Sequence, residues 1–118
     1  MKVLVTGATG QLGSTFVRVL RDSNEVVGTV RDELDLTDDI SVRAVISDVR
    51  PDLILNCAAY NEVDSAESCP ETALAVNAFG VQSLAVMAAE FSSTLVHFST
   101  DFVFDGNTTK PYSEADTP

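Results

Sequence analysis

The stretch VTGATGQLGST, from Val5 to Thr15, sets the tightest limit on what this chain can fold into. It places Gly7, Gly10 and Gly13 directly after an apolar, β-branched run from Lys2 to Thr6. Glycine weakens helices and strands, and it suits positions that need positive φ or a very close backbone approach. Beyond the glycines, Leu12, Phe16, Val19 and Leu20 recur at i, i+4, i+7 and i+8, one apolar face of a helix. The chain must therefore pass from a strand through a tight, side-chain-poor loop into a helix. A helix start carries unpaired N–H groups and about half a positive charge, a natural seat for a diphosphate. Gly7 then makes the turn, Gly10 permits the close approach, and Gly13 lets the helix pack on a sheet. The spacing is G-x-x-G-x-x-G rather than the commoner G-x-G-x-x-G fingerprint, so its weight comes from the strand before it and the helix after it.

The rest of the chain keeps alternating. Glu25 to Val30 reads as a second strand, and a helix begins near Thr37, an N-cap residue type. That helix has Val42, Val45, Ile46 and Val49 as its core face, Arg50 in its last turn and Pro51 as its stop. Leu53 to Leu55 form an apolar run ending at Asn56. A polar loop from Ala59 to Glu71 leads to a helix of about twenty residues that buries Leu74, Val81, Leu84, Ala85 and Ala88. Thr94 to Phe98 is a fourth strand, and the remainder is loop-like with a turn at Asp105-Gly106. Strands alternating with helices predict right-handed crossovers and an α/β, Rossmann-type doubly wound parallel sheet in a single domain spanning residues 1–118. Ligands of such sheets bind at the carboxyl ends of the strands, near the switch in strand order.

Charge narrows the partners. Seven Lys and Arg against eighteen Asp and Glu give a formal net charge of −11. That balance opposes nucleic acid and anionic membrane surfaces, which need cationic patches. An anionic small ligand is not opposed, because local amides and a few arginines can hold it. No run of apolar residues approaches the ~20 needed to span a bilayer, and the two cysteines make neither a disulfide framework nor a zinc set. The expected location is cytoplasmic. Asp64, Glu67 and Glu71 read as acids favouring a helix start rather than as metal ligands, so no metal is expected. His97 reads as a structural strand residue.

The sequence also resembles a known family. TGATGQLG, DLTD, NCAAY and STDFVFDG resemble the extended short-chain dehydrogenase/reductase superfamily. Within it, NCAAYNEVDSAES, AVNAFGVQSLA and STDFVFDGNTTKPYSEADTP resemble the dTDP-4-dehydrorhamnose reductase family along the whole chain. The resemblance implies an oxidoreductase that uses NADPH, with NADH an open alternative, to reduce dTDP-4-dehydro-L-rhamnose to dTDP-L-rhamnose. The partner it implies is a small nucleotide sugar, and a homodimer is compatible with it. Similar motifs occur in the β subunit of methionine adenosyltransferase, a non-catalytic NADP-binding regulator, and in nucleotide-sugar epimerases and dehydratases. Those remain the alternatives.

Residue by residue, the resemblance assigns the coenzyme to Gly7, Gly10, Gln11, Leu12, Gly13, Arg31, Asp35, Leu36, Ala58, Ala59, Tyr60, Asn77 and Ser99. Arg31 follows strand two and no acid comes before Asp32, which tilts the choice toward NADPH, because an arginine accommodates a ribose 2′-phosphate. Thr100 matches the hydroxyl that binds the substrate carbonyl oxygen, and Val63 and Phe102 match substrate-side positions. Phe102 stands where the family usually has Tyr, and Asn61 where it more often has Thr. The family's proton donor lies in a Tyr-x-x-x-Lys pair. Tyr112 is followed four residues later by Asp116 and cannot supply it. The expectation is an amino-terminal coenzyme-binding portion, without the later strands and the substrate domain, that binds nucleotide weakly and does not turn over alone.

Overall fold

The structure is a computed structural model that describes residues 1–118, the side chain of Asp101 excepted. Four strands form one parallel sheet in the order β2-β1-β3-β4. They are β1 (Lys2–Thr6), β2 (Glu25–Thr29), β3 (Leu53–Asn56) and β4 (Thr94–His97). Helix α1 (Gln11–Leu20) joins β1 to β2, and α2 (Asp39–Val49) joins β2 to β3. Between β3 and β4 come α3 (Val63–Ser68), α4 (Pro70–Leu74), a π-helical turn over Ala75–Phe79 and α5 (Gly80–Glu90).

The topology decides which helix covers which face. The chain steps outward from β1 to β2, then reverses across β1 to reach β3 and β4. Right-handed crossovers then send the first helix to one face and the later ones to the other. Two separate clusters follow. Val3, Val5 and Leu55 pack with Phe16, Val17 and Leu20 of α1. On the opposite face Leu4 and Ile54 pack with Val42 and Ile46 of α2 and with Leu84, Met87 and Ala88 of α5. The doubly wound parallel arrangement expected from the sequence is present, and its switch point lies between β1 and β3.

The interior of α1 is phased differently from the expectation. Phe16, Val17 and Leu20 face the sheet and Gly13 is buried against the glycine loop, whereas Leu12 and Val19 are exposed. A glycine at the third position lets the first turn sit close to the glycine loop, and the inward stripe starts there rather than at Leu12. Helix α2 is capped by Asp38, whose carboxylate accepts from the Ile40 amide at 2.9 Å, not by Thr37. Thr37 is occupied elsewhere, donating its hydroxyl to Asp35 at 2.7 Å. Arg50 lies one residue past the helix in a left-handed conformation, φ 50°.

Three further differences have local causes. Strand β2 ends at Thr29 because the Val30 amide turns away to Glu33 Oε2 at 3.0 Å. Strand β4 stops at His97 with its β3 partner Asn56, and Phe98 instead stacks on Phe16 at 5.8 Å. The expected polar loop contains α3, a six-residue helix with no buried side chain and so no periodicity to betray it. The long helix is continuous from Pro70 to Glu90, yet Leu74 and Ala85 are exposed. The π-helical turn adds a residue to one turn and rotates the stripe. Val76, Gly80, Leu84, Met87 and Ala88 thus face inward. Among the described residues this is one helix long and apolar enough, by length and composition, to cross a bilayer: 21 residues with a hydropathy of 1.5. Its Leu84, Met87 and Ala88 are instead buried against the sheet.

Candidate functional site

Every strand ends in a polar residue at the same edge of the sheet. Thr29, Thr6, Asn56 and His97 stand side by side in register across β2, β1, β3 and β4. From this edge the chain makes the loops that form the walls of a cleft of about 320 Å3 at the β1/β3 switch. Gly7, Thr9 and Gly10 line one side, Arg31, Leu34, Asp35 and Leu36 another, and Cys57 to Asn61 with Val76 the third.

The glycine loop is built by two positions above all. Gly7 has φ +63°, and a Cβ there would lie 2.9 Å from the backbone of Ala58. The loop therefore presses directly on the segment after β3. Gly13 has no room for a side chain either, because a Cβ would overlap the Gly7 carbonyl. Its role is close packing of α1 on the loop itself, rather than on the sheet. Gly10 closes the turn by donating to the Gly7 carbonyl at 3.0 Å.

The start of α1 is electrostatically open. Gly10 is the N-cap and offers no side-chain acceptor, and the first turn holds no acid. The first i→i−4 bond comes from Ser14 to Gly10 at 2.9 Å, so the amides of Gln11, Leu12 and Gly13 precede the helical ladder. Ser14 and Thr15 turn their hydroxyls back to the Gln11 carbonyl, away from those amides. The positive end of the helix dipole thus meets solvent beside the cleft, which is the condition for binding a phosphate group.

Across the cleft, Asp35 accepts from both the hydroxyl and the amide of Thr37, at 2.7 and 2.8 Å. Those two bonds, with Arg31 as a lesser contributor, hold its carboxyl below the usual carboxylate range. Arg31 reaches Asp35 at only 3.8 Å and is largely solvated, so its guanidinium is free to turn toward an anion. The third wall is held from behind. Asn77, in the π-helical turn, accepts from the Tyr60 amide at 2.8 Å and donates to the Tyr60 carbonyl at 2.9 Å. Burial pushes the Cys57 thiol up, so it stays protonated and is no nucleophile near neutrality.

The fold brings Gly7, Gly10, Arg31, Asp35, Leu36, Ala58, Ala59 and Tyr60 to one cleft, with Gln11, Leu12 and Gly13 at the adjoining helix start. Asn77 touches the site only through Tyr60. Ser99, Thr100, Val63 and Phe102 are not in the cleft wall. Thr100 accepts from the Phe102 amide at 3.2 Å at the start of a 3-10 turn, and Phe102 and Val63 are exposed at 89% and 71%. Thr9, Val30, Leu34, Cys57 and Val76 line the cleft without having been singled out. Thr9 and Cys57 lie inside motifs already noted. Leu34 and Val76 are apolar, and nothing in the sequence separates an apolar cleft wall from a hydrophobic interior.

Known proteins share this architecture. A crystal structure of dTDP-4-dehydrorhamnose reductase from Bacillus anthracis in complex with NADP superposes with a TM-score of 0.95 at 36% identity, covering 99% of this chain and 42% of that one. A dTDP-4-keto-6-deoxy-D-glucose reductase of Streptomyces niveus is 49% identical over 113 residues, 95% of this chain and 39% of the relative. A dTDP-4-dehydrorhamnose reductase of Burkholderia thailandensis is 43% identical over 116 residues, 98% and 39% respectively. The chain thus spans about two fifths of the length of these relatives. The family model of the RmlD substrate binding domain matches it from residue 1 to residue 118, and the chain belongs to that family.

Proposed function

We propose that this chain is the coenzyme-binding part of an NADPH-dependent reductase whose substrate is a 4-keto sugar linked to dTDP, with dTDP-4-dehydro-L-rhamnose the first choice. One observation carries the reading. The start of α1 has no side-chain cap and no acid, and it opens beside a glycine loop too tight for a Cβ at Gly7. Such a cradle suits the negative charge and close approach of a diphosphate. The names of the relatives share one chemistry, the reduction of a ketone on a dTDP-linked sugar.

In this reading the amides of residues 11 to 13 hold the diphosphate, with Gln11 and Leu12 contributing backbone rather than side chain. Arg31 meets the ribose 2′-phosphate, which favours NADPH over NADH. Asp35 and Leu36 flank the adenine, and Ala58, Ala59 and Tyr60 form the floor. The coenzyme supplies a hydride when bound. Ser99 and Thr100 follow β4 at the carboxyl edge of the sheet, where Thr100 would hold the substrate carbonyl, with Val63 and Phe102 on the sugar side. We place the protein in the cytoplasm, as befits a soluble biosynthetic reductase.

The test is a titration of the isotopically labelled chain with NADPH, followed through its amide resonances. Shifts should concentrate on residues 7–13, 31–36 and 57–61. No shifts at about 1 mM coenzyme, a Kd range where even weak complexes form, or shifts on other faces, would overturn the reading. NADPH consumption with dTDP-4-dehydro-L-rhamnose, by the protein that carries this chain, tests the choice of substrate.

A further inference from the structure

The row of polar strand ends contains a bond whose direction can be deduced. Thr6 and Asn56 are each 1% exposed. The Thr6 hydroxyl donates to Asn56 Oδ1 at 2.6 Å, and the Ala58 amide donates to the same oxygen at 3.2 Å. The Ala58 N–H is only ever a donor, shared between Asn56 Oδ1 and, at 3.4 Å, the Thr6 hydroxyl oxygen. With the amide oxygen toward Ala58 both that N–H and the Thr6 proton find an acceptor, whereas the flipped amide would set N–H against N–H. The Asn56 nitrogen then faces His97 Nδ1, 3.1 Å away. It has protons to give, so Nδ1 must accept, which it can do only in a neutral ring carrying its proton on Nε2. An imidazolium would place two donors nose to nose.

The consequence reaches the cleft. Ala58, tied to Asn56, is the residue against which Gly7 presses. We propose that His97 is a positioning residue for the coenzyme cleft: its neutral Nε2–H ring fixes Asn56, Asn56 fixes Ala58 against the glycine loop, and protonation of the ring loosens that wall and weakens coenzyme binding. The proposal rests on the coenzyme reading above.

Few charges surround the ring among the described residues. Strand β3, paired with β4, has no titratable side chain, and the Cys57 thiol that follows it is held protonated by burial. Helix α5, also packed on β4, carries only Glu90, already engaged by Arg43 at 2.7 and 2.8 Å. His97 is itself exposed, so a proton from solvent reaches it directly.

His97 is the single histidine of the chain, so its ring signals need no assignment. Nitrogen-15 spectra of the ring at about pH 8 should show the Nε2–H tautomer, and on acidification the Ala58 amide should shift along the same curve as the ring. NADPH affinity measured by fluorescence should fall about five- to tenfold more between pH 8 and about pH 5.5 in the wild-type chain than in His97→Gln, the weight of one hydrogen bond. Glutamine offers Asn56 a carbonyl that does not titrate, and this comparison removes the titration of the coenzyme's own phosphate. An Nδ1–H ring, an Ala58 amide indifferent to the ring, or equal pH slopes in the two proteins overturn the role of His97 and leave the coenzyme reading standing. Absence of NADPH binding at both pH values overturns both. Should His97→Gln fail to fold, the wild-type ring and Ala58 spectra decide alone.

Discussion

The side-chain amide of Asn77 stands in for a neighbouring strand, pairing with both the N–H and the C=O of Tyr60 at 2.8 and 2.9 Å. Seventeen residues separate the two in sequence. The π-helical turn around Asn77 brings that amide to the loop after β3, which has no ladder partner of its own there. A loop so held can shape the cleft wall without belonging to regular structure.

Asn77→Ala should therefore release the Tyr60 segment. With each net hydrogen bond worth about 1 kcal/mol, the chain should lose about 1–2 kcal/mol in denaturant unfolding. Hydrogen exchange at the Tyr60 amide should accelerate well beyond that global change. If Tyr60 exchange rises only in step with global stability, the clamp is not a separate element.

Gly13→Ala probes the helix–loop contact. The added methyl meets the Gly7 carbonyl, a rigid backbone atom, so the strain cannot be relieved by a rotamer change. Destabilisation of about 1–3 kcal/mol is expected, against the slight gain usual for Gly→Ala inside a helix. A thermal or denaturant melt gives the sign directly.

The depressed carboxyl of Asp35 predicts a pH window. Its folded value lies below the unfolded one of about 3.9. It therefore adds stability that is present above that unfolded value and lost as pH falls through the folded one. Asp35→Asn should flatten the decline of stability below about pH 4 and leave its slope near neutrality unchanged. Because Thr37 contributes most to the shift, Thr37→Val should remove more of the acid-limb effect than Arg31→Ala. The reverse order would contradict the hydrogen-bond assignment.

Arg31→Ala tests coenzyme choice. Losing Arg31, the one cation in the cleft wall among the described residues, should cost NADPH affinity about tenfold, as removal of a charge-assisted phosphate contact does, with NADH affinity nearly constant. Parallel titrations with the two coenzymes measure the ratio. An unchanged ratio would place the 2′-phosphate elsewhere.

The alternation of apolar runs and helical stripes, with glycines at one strand–helix junction, was enough to define the sheet, its parallel sense and the edge where the cleft forms. These are local properties: strand and helix periods are written in neighbouring residues, and a turn that excludes Cβ atoms demands glycine where it stands. Most cleft-facing residues of the glycine loop and the segment after β3 were legible for the same reason. Tertiary structure decided the rest. Leu12 and Leu74 carry the same hydrophobicity as buried leucines, and only the close seat of Gly13 and the added residue of the π-helical turn put them outside. Asn77 and His97 are polar side chains whose roles depend on the backbone of Tyr60 and the amide of Asn56. A hydrogen bond between residues far apart along the chain leaves no period in the sequence, because its partner is chosen by the packing of strands and helices and not by the residues next door.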